Sequence, residues 1–475
     1  MSVSLPNWRQ RTRRAAPAAG IALSLAAYTY WGIYLPLQER GFDFTGPYEA
    51  AYALAHRLPV QVYDVPQLTV FSHQVLHLPA PSDFRWTPQT AALLTPLGLL
   101  PYPTAHLLWL LICQITLLMS FWLLARCLSS TIRTAPSHLA WLRSPQAVFL
   151  FLSCAAAWSE PITGGLRMGQ STPFLLLGCA LLLYGEVFER PLLAGCGLGL
   201  AILVKLFPAV LLVYYLWRGR YRLLLGALAL LVLLTVLTLP ITGLEMYRAF
   251  ALALQTYQGQ PNAGPVNLSL YHALIVGTAA LVLPGQPEPT SGLLVVFAQA
   301  VCLALFGVFL LKQDAPALLY HPAFQRAARW LLRRQENALP RLSTPVQKLP
   351  LFTTAWAICT LLLVEPIDWI FYYLLLLLPL CWLLAWQGWL AKASAFSRTR
   401  GASRFWLVAL CACFLASLPL PFDTRTAAPM SATYVAGICI RPAAVLLLWC
   451  YFAWQTKRAS PALQPLALSS TNGLS

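Results

Sequence analysis

The chain has 475 residues, of which 59% are apolar and 10% charged, and its mean hydropathy is +0.65. Soluble domains carry about 25% charged residues, so a water-soluble enzyme and a disordered chain are both excluded. The net charge of +17 suits a nucleic-acid partner only if its basic residues do not simply mark the cytoplasmic loops of a membrane protein.

Apolar runs able to cross or enter a bilayer fall at about 17–37, 102–125, 145–159, 171–188, 191–204, 206–217, 222–240, 290–311, 350–364, 369–388, 404–420 and 432–454. They predict an all-α polytopic membrane protein of about 12 transmembrane helices, one integral domain over residues 1–475. The two runs flanking Lys205 are short, and form either one kinked helix or two half-helices. The arginine-rich start (Arg9, Arg11, Arg13, Arg14) precedes a run that ends in bulky residues near Leu35-Pro36, which reads as an uncleaved first span. Twelve spans place both termini in the cytoplasm. The inner segments then hold 24 of the 32 Lys and Arg but only 4 of the 15 acids. The basic count selects this orientation and accounts for most of the +17, so no nucleic-acid partner is expected.

Two outer segments are long, 38–88 and 241–289, and loops of that length in a compact protein usually carry function. The second contains an apolar stretch, 266–283, read as an interfacial or re-entrant helix. The cytoplasmic segment 312–349, with seven basic residues, reads as a contact surface for anionic membrane lipids. Nearly all twelve cysteines lie in apolar runs, as small hydrophobes. No metal site and no cofactor are expected. Cys411-Ala-Cys413 lacks a second pair, His73 and His77 lack a third ligand, and the chain has no Asp-x-Asp.

Chemistry therefore falls to a few polar residues at the outer ends of the spans. Asp43 follows the first span in Gly41-Phe42-Asp43-Phe44, where flanking aromatics would partly desolvate a carboxylate and suit it to proton abstraction. Lys205 interrupts an apolar stretch, and an ionisable residue at such depth is a functional candidate whose partner is a phosphate or a carboxylate. Arg85 and Arg167 are the other outer cations near span ends. Gly169-Gln170-Ser171 opens a span from outside, either as a simple cap or as a neutral polar pocket for a sugar or phosphate.

The order Asp43-Phe44, Tyr48-Glu49, Val62-Tyr63-Asp64, Phe84-Arg85-Trp86-Thr87-Pro88, Pro96, Pro101-Tyr-Pro103, Trp109, Gly169-Gln170-Ser171, Lys205-Leu-Phe-Pro208, Arg218-Gly-Arg220-Tyr-Arg222 and Asn267-Leu-Ser269 resembles the family 87 glycosyltransferases. These are membrane enzymes of the C-type superfamily that use polyprenyl-phosphate sugars. The resemblance covers about 40–275 and, more weakly, 350–385. It implies a C-type fold and transfer of a sugar, with mannose the first expectation, from a polyprenyl-phosphate donor to a lipid or glycan acceptor on the outer face. It also implies that Asp43 is the general base. Lys205, Arg167 and Arg85 would hold the donor phosphate, and Trp86, Gln170, Asn267, His272 and Asp368 would contact substrate. Direct displacement by a base opposite the leaving phosphate predicts inversion. Two positions depart from the family: Trp86-Thr87-Pro88 stands for Tyr-Pro-Pro, and Phe371 stands where many members have a histidine, putting mannose specificity in doubt. The competing function is a lipid or glycan flippase, which needs the same cavity and no base. A diphosphate-dependent polymerase or ligase would require more outer arginines.

Overall fold

The computed structural model describes residues 8–39, 41–78, 84–132, 137–258, 267–282, 292–312, 350–365, 370–392, 400–417 and 431–456. Asp368 and the 312–349 segment beyond Lys312 lie outside the described residues.

Among the described residues the chain is helical, without strands. The first span begins as α1 (Trp8–Tyr28), passes through a π-helical turn, Thr29–Tyr34, and ends as α2 (Leu35–Glu39). The predicted first outer loop is mostly folded. A 3-10 turn, Phe42–Phe44, leads into α3 (Thr45–Ala55), followed by α4 (Val65–Phe71). Next come α5 (Pro88–Gly98), α6 (Tyr102–Thr131), α7 (Pro145–Ala156), α8 (Glu160–Met168), α9 (Thr172–Val187) and α10 (Pro191–Val204). Each helix from α4 to α10 has a proline in its first two positions, where the missing N–H is not needed and the fixed φ starts the helix.

The chain continues through α11 (Val210–Trp217), α12 (Tyr221–Gln258), α13 (Leu270–Val282), α14 (Gly292–Lys312) and α15 (Pro350–Val364). A 3-10 turn, Ile370–Leu376, precedes α16 (Leu377–Lys392), α17 (Arg400–Ser417) and α18 (Ala432–Gln455). Among the described residues, five helical stretches are long and apolar enough to cross a membrane: Pro17–Glu39, Tyr102–Thr131, Tyr221–Gln255, Leu293–Lys312 and Ala432–Gln455. The pair α7 and α8, bent by 67°, adds a sixth if taken as one broken span. The remaining apolar helices are shorter.

Three segments take definite form in the structure. The runs flanking Lys205 are two half-helices, because Lys205 is extended (φ −144°, ψ 135°) and breaks the helix. The segment after residue 240 is helical as far as Gln258. Gly243, at φ 66° and ψ 167°, lets α12 bend sharply past Pro240 and continue. The 266–283 stretch forms α13, packed between α14, α15 and α18.

Small residues set the closest approaches. Gly178 of α9 meets the backbone of Gly197 and Ala201 on α10, and Gly185 meets Ala194. Gly195 of α10 and Gly226 of α12 each lie against the other helix's backbone. With hydrocarbon outside, such backbone contact is the main source of helix association. A second layer, α15, α16 and α18, interlocks through buried Phe352, Trp356, Trp382 and Phe452.

Candidate active site

Polar groups converge where α1–α2, α8, α9 and α10 end on one side of the bundle. Asp43, half-buried, sits in the 3-10 turn between two fixed points. Gly41 adopts φ 60° and accepts a hydrogen bond from the Tyr102 hydroxyl at 3.2 Å, and any β-carbon there would collide with the His106 imidazole. Phe44, fully buried, stacks on Trp109 at 5.2 Å, and Trp109 stacks on Phe174 at 5.3 Å. The carboxylate is thus placed by a glycine on one side and an aromatic stack on the other.

Gln170 reaches it from the far end of α8. That helix ends at Gly169, which is left-handed (φ 72°, ψ 29°); the Gln170 amide returns to the Gly165 carbonyl at 2.9 Å. Trp109 Nε1 donates to the Gly169 carbonyl at 2.8 Å, and the glycine packs on Phe44. Gln170 Nε2 then donates to Asp43 Oδ2 at 2.5 Å. Its carbonyl oxygen, Oε1, is buried without a hydrogen-bond partner. Ser171, the N-cap of α9, makes no side-chain cap hydrogen bond.

Lys205 closes the other side. It lies over the Tyr372 ring, 5.4 Å from the centroid, within the electrostatic reach of Asp43, Glu365 and Arg85. Thr87 and Thr90 both donate to the Leu203 carbonyl, at 3.0 and 3.3 Å, fastening the Phe84–Thr87 segment beside the end of α10. Arg85 is exposed there, while Trp86 is buried against Trp109 at 5.7 Å.

Arg167 and Asn267 are held by contacts of their own. Arg167 forms a two-toothed ion pair with Glu39, through Nε and Nη2. Asn267 is fully buried and uses Oδ1 to accept from the Ser269 amide at 3.1 Å; Ser269 in turn caps α13 at the His272 amide, also at 3.1 Å. This segment joins the site indirectly, because the Tyr373 hydroxyl donates to the Leu268 carbonyl at 2.9 Å, next to Tyr372. Phe371 packs its ring on Gly164 and Gly165 of α8. Tyr372, Glu39 and Glu365 were not among the predicted site residues. The aromatic triplet Phe371-Tyr372-Tyr373 following Glu365 and Asp368 in the sequence was the available signal.

Glu49 of α3, between the first two long spans, is completely buried and its carboxylate forms no hydrogen bond of good geometry. Burial pushes its pKa up to about 7, with the nearby Ser72 hydroxyl opposing the rise.

The profile of glycosyltransferase family 87 matches residues 84–324, just over half of the chain. The chain belongs to glycosyltransferase family 87. Asp43 precedes the family-matched residues, whereas Arg85, Gln170, Lys205 and His272 lie within them. The chain is 32% identical over 158 residues to the polyprenol-phosphate-mannose-dependent alpha-(1-2)-phosphatidylinositol mannoside mannosyltransferase of Mycobacterium tuberculosis, covering 32% of this chain and 36% of that protein. It is 27% identical over 211 residues to the polyprenol-phosphate-mannose-dependent alpha-(1-2)-phosphatidylinositol pentamannoside mannosyltransferase of Mycolicibacterium smegmatis, covering 44% of this chain and 46% of that protein. The match therefore spans less than half the length of either family member. No solved structure matches the chain.

Proposed function

We propose that the protein is a membrane glycosyltransferase that moves mannose from a polyprenyl-phosphate donor to a lipid or glycan acceptor. Its C-type bundle of twelve spans would hold both termini in the cytoplasm and the site on the outer face. The observation that carries this reading is the Asp43 carboxylate held by the Gln170 amide with Lys205 beside it.

Asp43 takes the proton of the acceptor hydroxyl as the oxygen attacks the anomeric carbon. The bond from that carbon to the phosphate oxygen breaks, and polyprenyl phosphate leaves from the opposite face, which inverts the centre. A phosphate leaves more readily than the alcohol expelled in glycoside hydrolysis, so a single carboxylate suffices. Lys205 and Arg85 meet the charge growing on the phosphate. Arg167 is held by Glu39 and steadies α8 instead. The Gln170 carbonyl oxygen, facing no protein donor, is suited to a sugar or acceptor hydroxyl. The names of the two curated relatives support mannose and a glycolipid acceptor.

The test is transfer in membranes carrying wild type or Asp43→Asn, each offered labelled polyprenyl-phosphate mannose, glucose or arabinose, with nucleotide-sugars as controls. Mannose transfer should fall about a thousandfold in the variant. Equal behaviour of both folded proteins with every donor would remove the enzyme reading and favour a flippase.

A further inference from the structure

The end of the bundle opposite Asp43 carries a second arrangement of charge. α9 leaves the Gln170 end and spans 16 residues, about 24 Å, before the turn that leads to α10. That turn holds Arg190; the neighbouring turn from α11 to α12 holds Arg218 and Arg220, and Arg222 lies in the first turn of α12. Backbone contact between Gly226 and Leu192, and between Gly195 and Leu223, sets the first turns of α10 and α12 side by side. Between them lies an open recess of about 580 Å3 lined by Arg190, Pro191, Leu192, Leu193, Arg222 and Leu225.

The four arginines are not equivalent. Arg220 donates twice to the buried Glu186 carboxylate, at 2.8 and 2.9 Å, and Arg218 donates to the Tyr214 hydroxyl at 2.9 Å. Arg190 and Arg222 are exposed, and among the described residues neither has an ion pair. They stand at the mouth of a recess whose wall is leucine, and Leu192 and Leu225 are themselves exposed. A soluble anion would use the arginines and leave the leucines wet. An amphiphile with a phosphate head uses both.

We propose that this recess binds an anionic phospholipid, with its phosphate between Arg190 and Arg222 and the start of an acyl chain along Leu192, Leu193 and Leu225. Charge complementarity selects the head, and the leucine wall selects a lipid over a free phosphate. The site is independent of the chemistry at Asp43, so failure of one leaves the other standing.

The purified full chain would be titrated in neutral detergent with dioleoyl-phosphatidylglycerol, dioleoyl-phosphatidylcholine or inorganic phosphate, with bound lipid counted by native mass spectrometry. Phosphatidylglycerol should bind at least tenfold more tightly than phosphatidylcholine, and inorganic phosphate should not compete at equal concentration. Arg190→Gln with Arg222→Gln should lose at least tenfold in phosphatidylglycerol affinity, whereas Arg126→Gln with Arg143→Gln, two exposed arginines that do not line the recess, should bind as wild type does. Equal binding of both phospholipids by wild type would overturn the proposal even if no variant folded. Competition by inorganic phosphate would reassign the recess to a soluble anion, and an unchanged affinity in the folded Arg190/Arg222 variant would refute it directly.

Discussion

The two ends of α8 are both tied by an ion pair with a closest approach of 2.5 Å, and the pairs are far from equivalent. At the start of the helix, Glu160 pairs with Arg441 of α18, whose side chain is 7% exposed. At its end, Arg167 pairs with Glu39, and the two side chains are 36% and 38% exposed. Solvent screens the second pair and competes for it, whereas the first arginine has no water to fall back on. Distance alone does not rank such contacts; the environment left behind when a partner is removed does. Gln170 reaches Asp43 just beyond the Arg167 end of α8, so the firm end is the one remote from the chemistry.

The strongest way to break the comparison is Glu160→Gln, which removes the carboxylate charge paired with the buried Arg441 guanidinium. Stability should fall by about 3 kcal/mol, measured as thermal unfolding in detergent. A loss no larger than that of Arg167→Gln would sink the distinction. Gly169→Ala comes next. It places a β-carbon 2.8 Å from that of Phe44 on a residue with positive φ, so the turn must shift and carry Gln170 with it. Transfer activity should drop up to about a hundredfold with little change in unfolding temperature, because the damage is to alignment.

Glu49 sharpens the comparison from the other side, as a buried carboxylate without an ion pair among the described residues. Its pKa in the folded protein, about 7, exceeds the ordinary value of 4.5. The stabilising difference is therefore fully present below pH 4.5 and is lost as the pH rises through 7. Wild type should weaken across that window by on the order of 2 kcal/mol, and Glu49→Gln should flatten the profile. The smallest effect belongs to Arg167→Gln, which should cost less than about 1 kcal/mol and less still at high salt.

How much of this was legible in the sequence differs from residue to residue. Asp43 and Lys205 stood out because each is a charge among apolar or aromatic neighbours, and the structure brings their fields together. Arg441 carried the same signal inside the predicted span 432–454 and was passed over; Glu160, 281 positions away in the chain, becomes its partner only in the fold. The short helix α8 was hidden because Glu160–Met168 is neither long nor uniformly apolar, and its identity depends on the bend that separates it from α7. Gly169-Gln170-Ser171 reads as a cap, the commoner cause, or as a pocket, since local spacing does not reveal which way a glutamine turns. The extension of α12 was lost for a simpler reason. Hydropathy falls after Pro240, and a drop in hydropathy marks the end of a span without marking the end of a helix.

The π-helical turn Thr29–Tyr34 has a further consequence. It widens the first span just below the site, exposes Tyr30, Trp31 and Tyr34, and is locked to α6 by the bond from Gln114 Nε2 to the Gly32 carbonyl. Exposed tyrosine and tryptophan settle at the boundary between headgroups and hydrocarbon. On the proposed reading, Asp43 is thereby tethered at one depth, and both reactants, if lipid-borne, reach it by lateral diffusion in a sheet rather than from bulk solution. The enzyme's rate would then follow the mole fraction of donor in the bilayer. Diluting the membranes in buffer would leave it unchanged, whereas diluting the donor with inert lipid would lower it.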